Sequence, residues 1–241
     1  MLFRSLRWTK AICRYAVATG RLANSPLSDV LASDVLEPRK TRSHPHLTDE
    51  ELGDFPRLHD YPGRHETRIA VELLLLTFMR TGELRAAQWK EFDLDRQEWS
   101  IPAERMKMRA PHWVPLSTRA IALLNELGEL NGHSPYLFPN RGKHPYMSEN
   151  AINKAIACIG YKGCVVGHGF RATASTISNK SGQFNPDIIE RQLAHKKQNE
   201  IRAIYHRAEY RNERQKMMQW WADFLEAKQR GAEVVVLRRG V

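Results

Sequence analysis

Residues 66–116 read ETRIAVELLLLTFMRTGELRAAQWKEFDLDRQEWSIPAERMKMRAPHWVPL, and the hydrophobic rhythm changes in the middle of them. The run from Ile69 to Met79 is apolar except at Glu72 and Thr77, as in a helix buried on all sides. Beyond the segment Met79-Arg-Thr-Gly-Glu-Leu84 the period shortens to two. Trp89–Leu94, Glu98–Pro102 and His112–Leu116 are short alternating segments separated by polar turns, which predicts a small three-stranded antiparallel sheet. Helical patterns resume on either side, so the expected fold class is α+β, mainly helical.

Upstream, Thr48-Asp-Glu-Glu51 forms a capping box that opens a helix, and Pro56 predicts a short or kinked helix there. Downstream, helices are expected over Ser117–Leu130, Ser148–Ile159, about 169–180, Pro186–Leu193, and from about Glu200 through Leu225. Residues 4–19 read as one amphipathic helix carrying Leu6, Ile12, Cys13, Ala16 and Val17 among basic residues, ended by Gly20. Pro26, Pro38 and Pro45, with the charged run Glu37-Pro-Arg-Lys-Thr-Arg-Ser-His44, mark a linker. The organisation expected is a helix over 1–25, a linker over 26–47, a compact domain over 48–228 and a tail over 229–241. The tail's Val234-Val-Val-Leu237 has β character.

Composition bounds the function. In 241 residues, 37 Lys+Arg stand against 27 Asp+Glu, a net charge of +10, and 42% hydrophobic content suffices for a real core. Three cysteines, Cys13, Cys158 and Cys164, without a C-x-x-C pair, argue against a disulfide scaffold or a structural zinc site. No apolar run approaches the roughly 20 residues of a membrane span. Arginines and lysines scattered through the first 25 residues argue against a secretory signal. A cytoplasmic setting and a polyanionic partner are the expectation, and an exposed basic face without a ligand is the alternative.

Four segments place phosphate-binding or proton-transferring side chains beside apolar helix or strand residues. Arg80 precedes Glu83 by three residues after the buried helix; alone, the pair reads equally as a structural salt bridge. Lys107 lies in the turn Arg105-Met-Lys-Met-Arg109 and, alone, reads as solvated surface. His168-Gly-Phe-Arg171 puts an imidazole and a guanidinium one turn apart at a helix start, where anions are favoured and where a capping histidine is the other reading. Leu193-Ala-His195 is followed ten residues later by Tyr205. Trp220 and Trp221, with Met217, Phe224 and Leu225 at helical spacing, read as core packing.

Taken in order, R-x-x-E-L, a lysine hairpin, H-x-x-R, L-x-H and Tyr resemble the tyrosine site-specific recombinases of the phage integrase family. The likeness runs over about residues 48–228. Pro102-Ala-Glu-Arg-Met-Lys-Met-Arg109, His168-Gly-Phe-Arg-Ala-Thr-Ala-Ser-Thr176 and Met217-Met-Gln-Trp-Trp-Ala-Asp223 are similar to prophage integrases that insert at tRNA genes. The resemblance implies a tyrosine-recombinase catalytic domain with Arg80, Lys107, His168, Arg171 and His195 around a scissile phosphate, Glu83 orienting Arg80, and Tyr205 as nucleophile. Tyr210 lies five residues further on and is the competing phenol. Arg39, Lys40 and Arg42 would cross the DNA backbone.

The activity implied is DNA integration and recombination through a 3′-phosphotyrosyl enzyme, with no cofactor and no metal, on double-stranded attachment sites at tRNA-gene ends. A homo-oligomer on DNA and no membrane association are implied with it. Residues 1–25 look like only the last helix of the family's core-binding domain. A catalytically silent, DNA-binding remnant is therefore the alternative.

Overall fold

The computed structural model describes residues 2–31, 33, 45–53, 55, 60–107, 109–140, 142, 144–195 and 210–230. The chain divides into two compact units, Met1–Ser43 and His44–Val241. The first contains α1 (Leu2–Ala18), one helix as expected, closed at Gly20, which takes φ 70° so that Arg21 N–H can donate to Ala16 O at 2.8 Å. Trp8, Ile12 and Tyr15 on it are exposed.

The second unit is mostly helical with one small sheet. Its first helix, α2 (Asp49–Gly53), opens with the capping box read from the sequence: Thr48 N–H donates to Glu51 Oε2 at 2.8 Å and Glu51 N–H to Thr48 Oγ1 at 3.3 Å. The core is α3 (His65–Thr77), with Ile69, Ala70, Val71, Leu73 and Leu74 at most 1% exposed. Each of the Ile, Val and Leu side chains among them is worth about 1.5–3 kcal/mol on leaving water. Then come α4 (Thr81–Arg85), β1 (Phe92–Asp93), β2 (Glu98–Ile101), β3 (His112–Pro115) and α5 (Thr118–Asn131). The chain continues through α6 (Ala151–Ile156), α7 (Gly169–Ser181), α8 (Pro186–Gln192) and α9 (Arg211–Gln229). Helices α5, α6, α7 and α9 pack around α3, which explains its apolar character on every face.

The sheet runs β1-β2-β3, antiparallel throughout, with Phe92 opposite Trp99 and Trp99 opposite Val114. Its first strand is shorter than the alternation from Trp89 predicts. Trp89–Glu91 form a 3₁₀ turn instead, because Trp89 N–H and Nε1–H are drawn to the carbonyls of Pro135 and Asn131 at 3.1 and 3.3 Å. Helix α6 also starts later than the expected Ser148 and ends in a wider π-turn over Ala157–Tyr161, closed by Gly160 at φ 96°. Of the helix expected from about Glu200 through Leu225, regular helix runs from Arg211, preceded by Tyr210 at a left-handed φ of 47°, and residues 200–209 lie outside the described residues. The kink expected at Pro56 and the β-prone tail at Val234–Leu237 lie outside the described residues.

A helix buried on all sides must find partners for its last carbonyls. In α3 they come from three other helices. Trp221 Nε1 on α9 donates to Leu75 O at 3.0 Å, Gln192 Nε2 on α8 to Thr77 O at 3.1 Å, and Arg171 on α7 to the carbonyl of Phe78. Phe78 ends α3 in the left-handed region at φ 62°, a strain of about 1 kcal/mol or more for a non-glycine residue. Full burial and an edge-on contact with Trp221, centroids 5.5 Å apart, hold it there.

Gln192 extends this network. Its Oε1 accepts from Arg214 Nε at 2.9 Å, while Arg214, 1% exposed, also donates to the carbonyl of Trp113 and lies over that indole at 4.9 Å. The Gln192 carbonyl accepts from His112 Nε2 at 3.2 Å. Burial, and next the guanidinium of Arg214, lower the His112 pKa from 6.5 to about 3. The folded protein therefore refuses a proton that the unfolded chain accepts below pH 6.5, so stability falls as pH drops from 6.5 toward 3. At 1.36 kcal/mol per unit the loss approaches about 5 kcal/mol at the acid end. Thermal unfolding between pH 7 and 4 should show a steeper fall in Tm for the native chain than for His112→Gln; parallel curves would remove His112 as the cause.

Candidate active site

The site grows from the C-terminal end of α3. After Phe78 and Met79 the backbone runs extended through Arg80, at φ −76° and ψ 146°, before α4 begins. Glu83, 5% exposed, accepts from the Arg80 backbone N–H at 3.0 Å and from its guanidinium Nη1 at 2.7 Å. The salt bridge open in the sequence is thus present. It also holds the fork in place, and Arg80 Nη2 reaches Ala194 O at 3.4 Å.

Arg171 projects from the first turn of α7 and is 4% exposed. Besides Phe78 O, it donates from Nη2 to Leu193 O at 2.6 Å and to His195 Nε2 at 3.1 Å. Burial, and then the neighbouring Arg80 charge, lower its pKa from 12.5 to about 10, with Glu83 and Glu190 opposing. It remains cationic at neutral pH. A guanidinium only donates, so His195 Nε2 is the acceptor and Nδ1 carries the ring proton toward Glu190 Oε2 at 2.8 Å. Ala194, at φ 49°, makes the tight turn between α8 and His195.

His168 stands exposed at the N-terminus of α7 and makes no side-chain cap bond to the helix, so the capping reading is set aside. His168, Arg171 and His195, with Ala172, Ser175 and Leu193, line an open concavity of about 340 Å³. Lys107 is exposed in the β2–β3 turn. The structure thus brings Arg80, Glu83, Arg171 and His195 into one bonded cluster, sets His168 at its rim, and leaves Lys107 outside those bonds. Tyr205, Arg39, Lys40 and Arg42 lie outside the described residues. Among the described residues no three His, Cys, Asp or Glu side chains are grouped to hold a metal ion, and no helix is long and apolar enough to cross a membrane.

Several supporting residues went unread in the sequence. Arg105 pairs with Glu91, itself bonded to Trp99 Nε1 at 3.0 Å, and donates to the Glu83 carbonyl, tying the lysine turn to α4. Thr173 Oγ1 accepts from Leu47 N–H at 3.0 Å and donates to Leu47 O at 3.1 Å, fastening residues 45–47 to α7. Gly169 makes that approach possible, since a Cβ there would stand 1.9 Å from Pro45 O. Glu190 was legible in principle as the acidic residue one turn before Leu193-Ala-His195.

The sequence profile of the Phage integrase family matches residues 46–212. The integrase of Enterobacteria phage P4 is 45% identical over 235 residues, covering 90% of this chain and 53% of that protein. The prophage integrase IntA of Escherichia coli K12 is 43% identical over 170 residues, covering 70% of this chain and 41% of its own length. The chain spans about half the length of the curated relatives it matches. Among solved structures, a lambda integrase dimer bound to a COC′ core site shares the fold with TM-score 0.60 at 17% identity, over 85% of this chain and 58% of that one. The XerA recombinase shares it at TM-score 0.53 and 18% identity, over 73% and 68% of the two chains.

Removing Glu83 leaves a largely buried guanidinium without its carboxylate, which costs on the order of 3 kcal/mol. Glu83→Ala should lower the urea midpoint accordingly, and Glu83→Gln, whose amide oxygen still accepts from Arg80 N–H, by visibly less. Equal midpoints for Glu83→Ala and the native chain would reduce the pair to a surface contact.

Proposed function

The chain belongs to the phage integrase family, and we propose that its second unit cleaves and rejoins double-stranded DNA by site-specific recombination through a tyrosine. The observation that carries the reading is the pairing of Arg80 and Arg171. The two guanidiniums converge on neighbouring carbonyls, Arg80 Nη2 3.4 Å from Ala194 O and Arg171 Nη2 2.6 Å from Leu193 O, and Arg171 lines a concavity open to solvent. Like charges so held gain from an anion between them, and two planar forks suit the nonbridging oxygens of a phosphodiester.

In the proposed mechanism Arg80 and Arg171 hold the scissile phosphate, Glu83 orients Arg80, and His195 adds a hydrogen bond to the phosphate. Tyr205 Oη attacks phosphorus while His168 takes the phenol proton. The bond from phosphorus to the 5′ oxygen breaks, and Lys107 protonates that oxygen as it leaves. A 3′-phosphotyrosyl protein and a free 5′ hydroxyl result; attack by the hydroxyl of another strand reverses the steps and rejoins DNA without ATP. The side chains supply the charge stabilisation a metal would otherwise give, so no cofactor enters. Tyr210 is less suited to attack, because it is partly buried against the core where α9 begins.

Residues 48–228 would form the catalytic part, 26–47 the linker whose Arg39, Lys40 and Arg42 cross the DNA backbone, 1–25 the end of a core-binding region, and 229–241 a tail. Attachment sites at tRNA-gene ends, assembly as a homo-oligomer on DNA and a cytoplasmic location complete the proposal.

A nicked suicide duplex should trap a covalent protein–DNA adduct with the native chain and with Tyr210→Phe, and none with Tyr205→Phe, which still binds DNA. Adduct with Tyr205→Phe but not Tyr210→Phe would reassign the nucleophile. Binding without adduct in every case would favour a DNA-binding remnant. Adduct formation should also persist in excess EDTA; loss on chelation, restored by magnesium, would overturn the metal-free mechanism.

A further inference from the structure

The catalytic scheme gives His195 a hydrogen bond to phosphate, and because the ring is 45% exposed, which nitrogen faces the site depends on the partners that hold it. In water a neutral imidazole favours the proton on Nε2. Here the reverse holds: Nε2 accepts from Arg171 at 3.1 Å and Nδ1 lies 2.8 Å from Glu190 Oε2. Glu190 sits on α8, whose start is set by Asn185 Oδ1 accepting from Asp187 N–H at 2.9 Å and by Pro186 in the first turn. Its backbone carbonyl accepts the His195 N–H at 3.2 Å, so one residue holds the histidine by main chain and by side chain.

We propose that Glu190 is a positioning residue for the phosphate site, holding the His195 ring with its proton on Nδ1 so that Nε2 stays aimed at Arg171 and at the anion that guanidinium binds. The charges acting on this corner are Arg80 and Arg171 on one side and Glu83 and Glu190 on the other. Their near balance makes the cluster stable without ligand. When a phosphate oxygen takes the Arg171 N–H for itself, the Nε2 lone pair would oppose the anion unless the ring gains a second proton from solvent. A carboxylate on Nδ1 is the arrangement that stabilises a ring protonated at both nitrogens. Glu190 thus acts through His195, and it is absent from the motifs that carry the family resemblance.

This rests on the proposed function only for the identity of the anion; the ring's tautomer can be read on the free protein. Nitrogen-15 NMR of the full chain at neutral pH, with the His195 signals assigned by their loss in His195→Asn, should show protonated Nδ1 and bare Nε2. Adding inorganic phosphate should move Nε2 toward the protonated shift. Glu190→Ala should let the Nε2-protonated tautomer appear, while Glu190→Gln, which keeps an acceptor at the same place, should hold the Nδ1 tautomer and blunt the phosphate response. On the suicide duplex, Glu190→Ala should slow adduct formation about tenfold or more with duplex affinity unchanged within twofold. An Nε2-protonated ring in the native chain, or an unchanged tautomer in Glu190→Ala, would overturn the assignment. If the tautomer results hold and no variant forms an adduct, the positioning stands and the strand-transfer reading fails.

Discussion

The carbonyls at the C-terminal end of α3 organise the rest of the structure. A helix surrounded by α5, α6, α7 and α9 is buried at its end, and each orphan carbonyl left there would cost about 1–3 kcal/mol. The chain answers with side chains from three helices distant in sequence: Trp221, Gln192 and Arg171. Two of these, Arg171 and Gln192, also shape the site. The arginine is held because the negative end of a buried helix suits a cation, and Gln192 joins α8 to Arg214 at the start of α9. Closing one helix thus fixes the spacing of α7, α8 and α9.

It follows that the candidate anion site is made from groups already engaged in holding the fold. Arg171 spends its donors on Phe78 O, Leu193 O and His195, and Arg80 on Glu83 and Ala194 O. Both forks are therefore aimed before any ligand arrives, and little side-chain entropy remains to be lost on binding. Two nearby carboxylates, Glu83 and Glu190, offset the two guanidiniums. Rigid aim and residual repulsion are the combination that the proposed phosphate site needs in order to stay folded without its ligand.

Much of this was legible in the sequence wherever the determinant is local. The shift from helical to alternating period located the sheet; Thr48 with Glu51, Ser117 and Pro186 marked helix starts that the structure places within a residue or so. Local signals failed where a partner is remote. Trp89 belongs by pattern to a strand, yet its indole is drawn to Asn131, 42 residues away. Tyr210 precedes α9 in a left-handed conformation, which no residue type in that stretch announces. Arg80, Glu83, Arg171 and His195 were legible as an ordered set through a family likeness, not through periodicity. Gln192 and Arg214 carried no signal, since a buried polar residue cannot be told from a surface one before its neighbours are known.

The same network holds the described residues on either side of the α8–α9 connection. His195 is bonded to Glu190 and Arg171, while Arg214, one turn into α9, is bonded to Gln192 and Trp113 O. Gln192 also donates to Thr77 O, and Arg171 to the carbonyl of Phe78. The end of α8 and the start of α9 are therefore both fastened to the same helix end of α3, and a substitution that loosens that end loosens both at once.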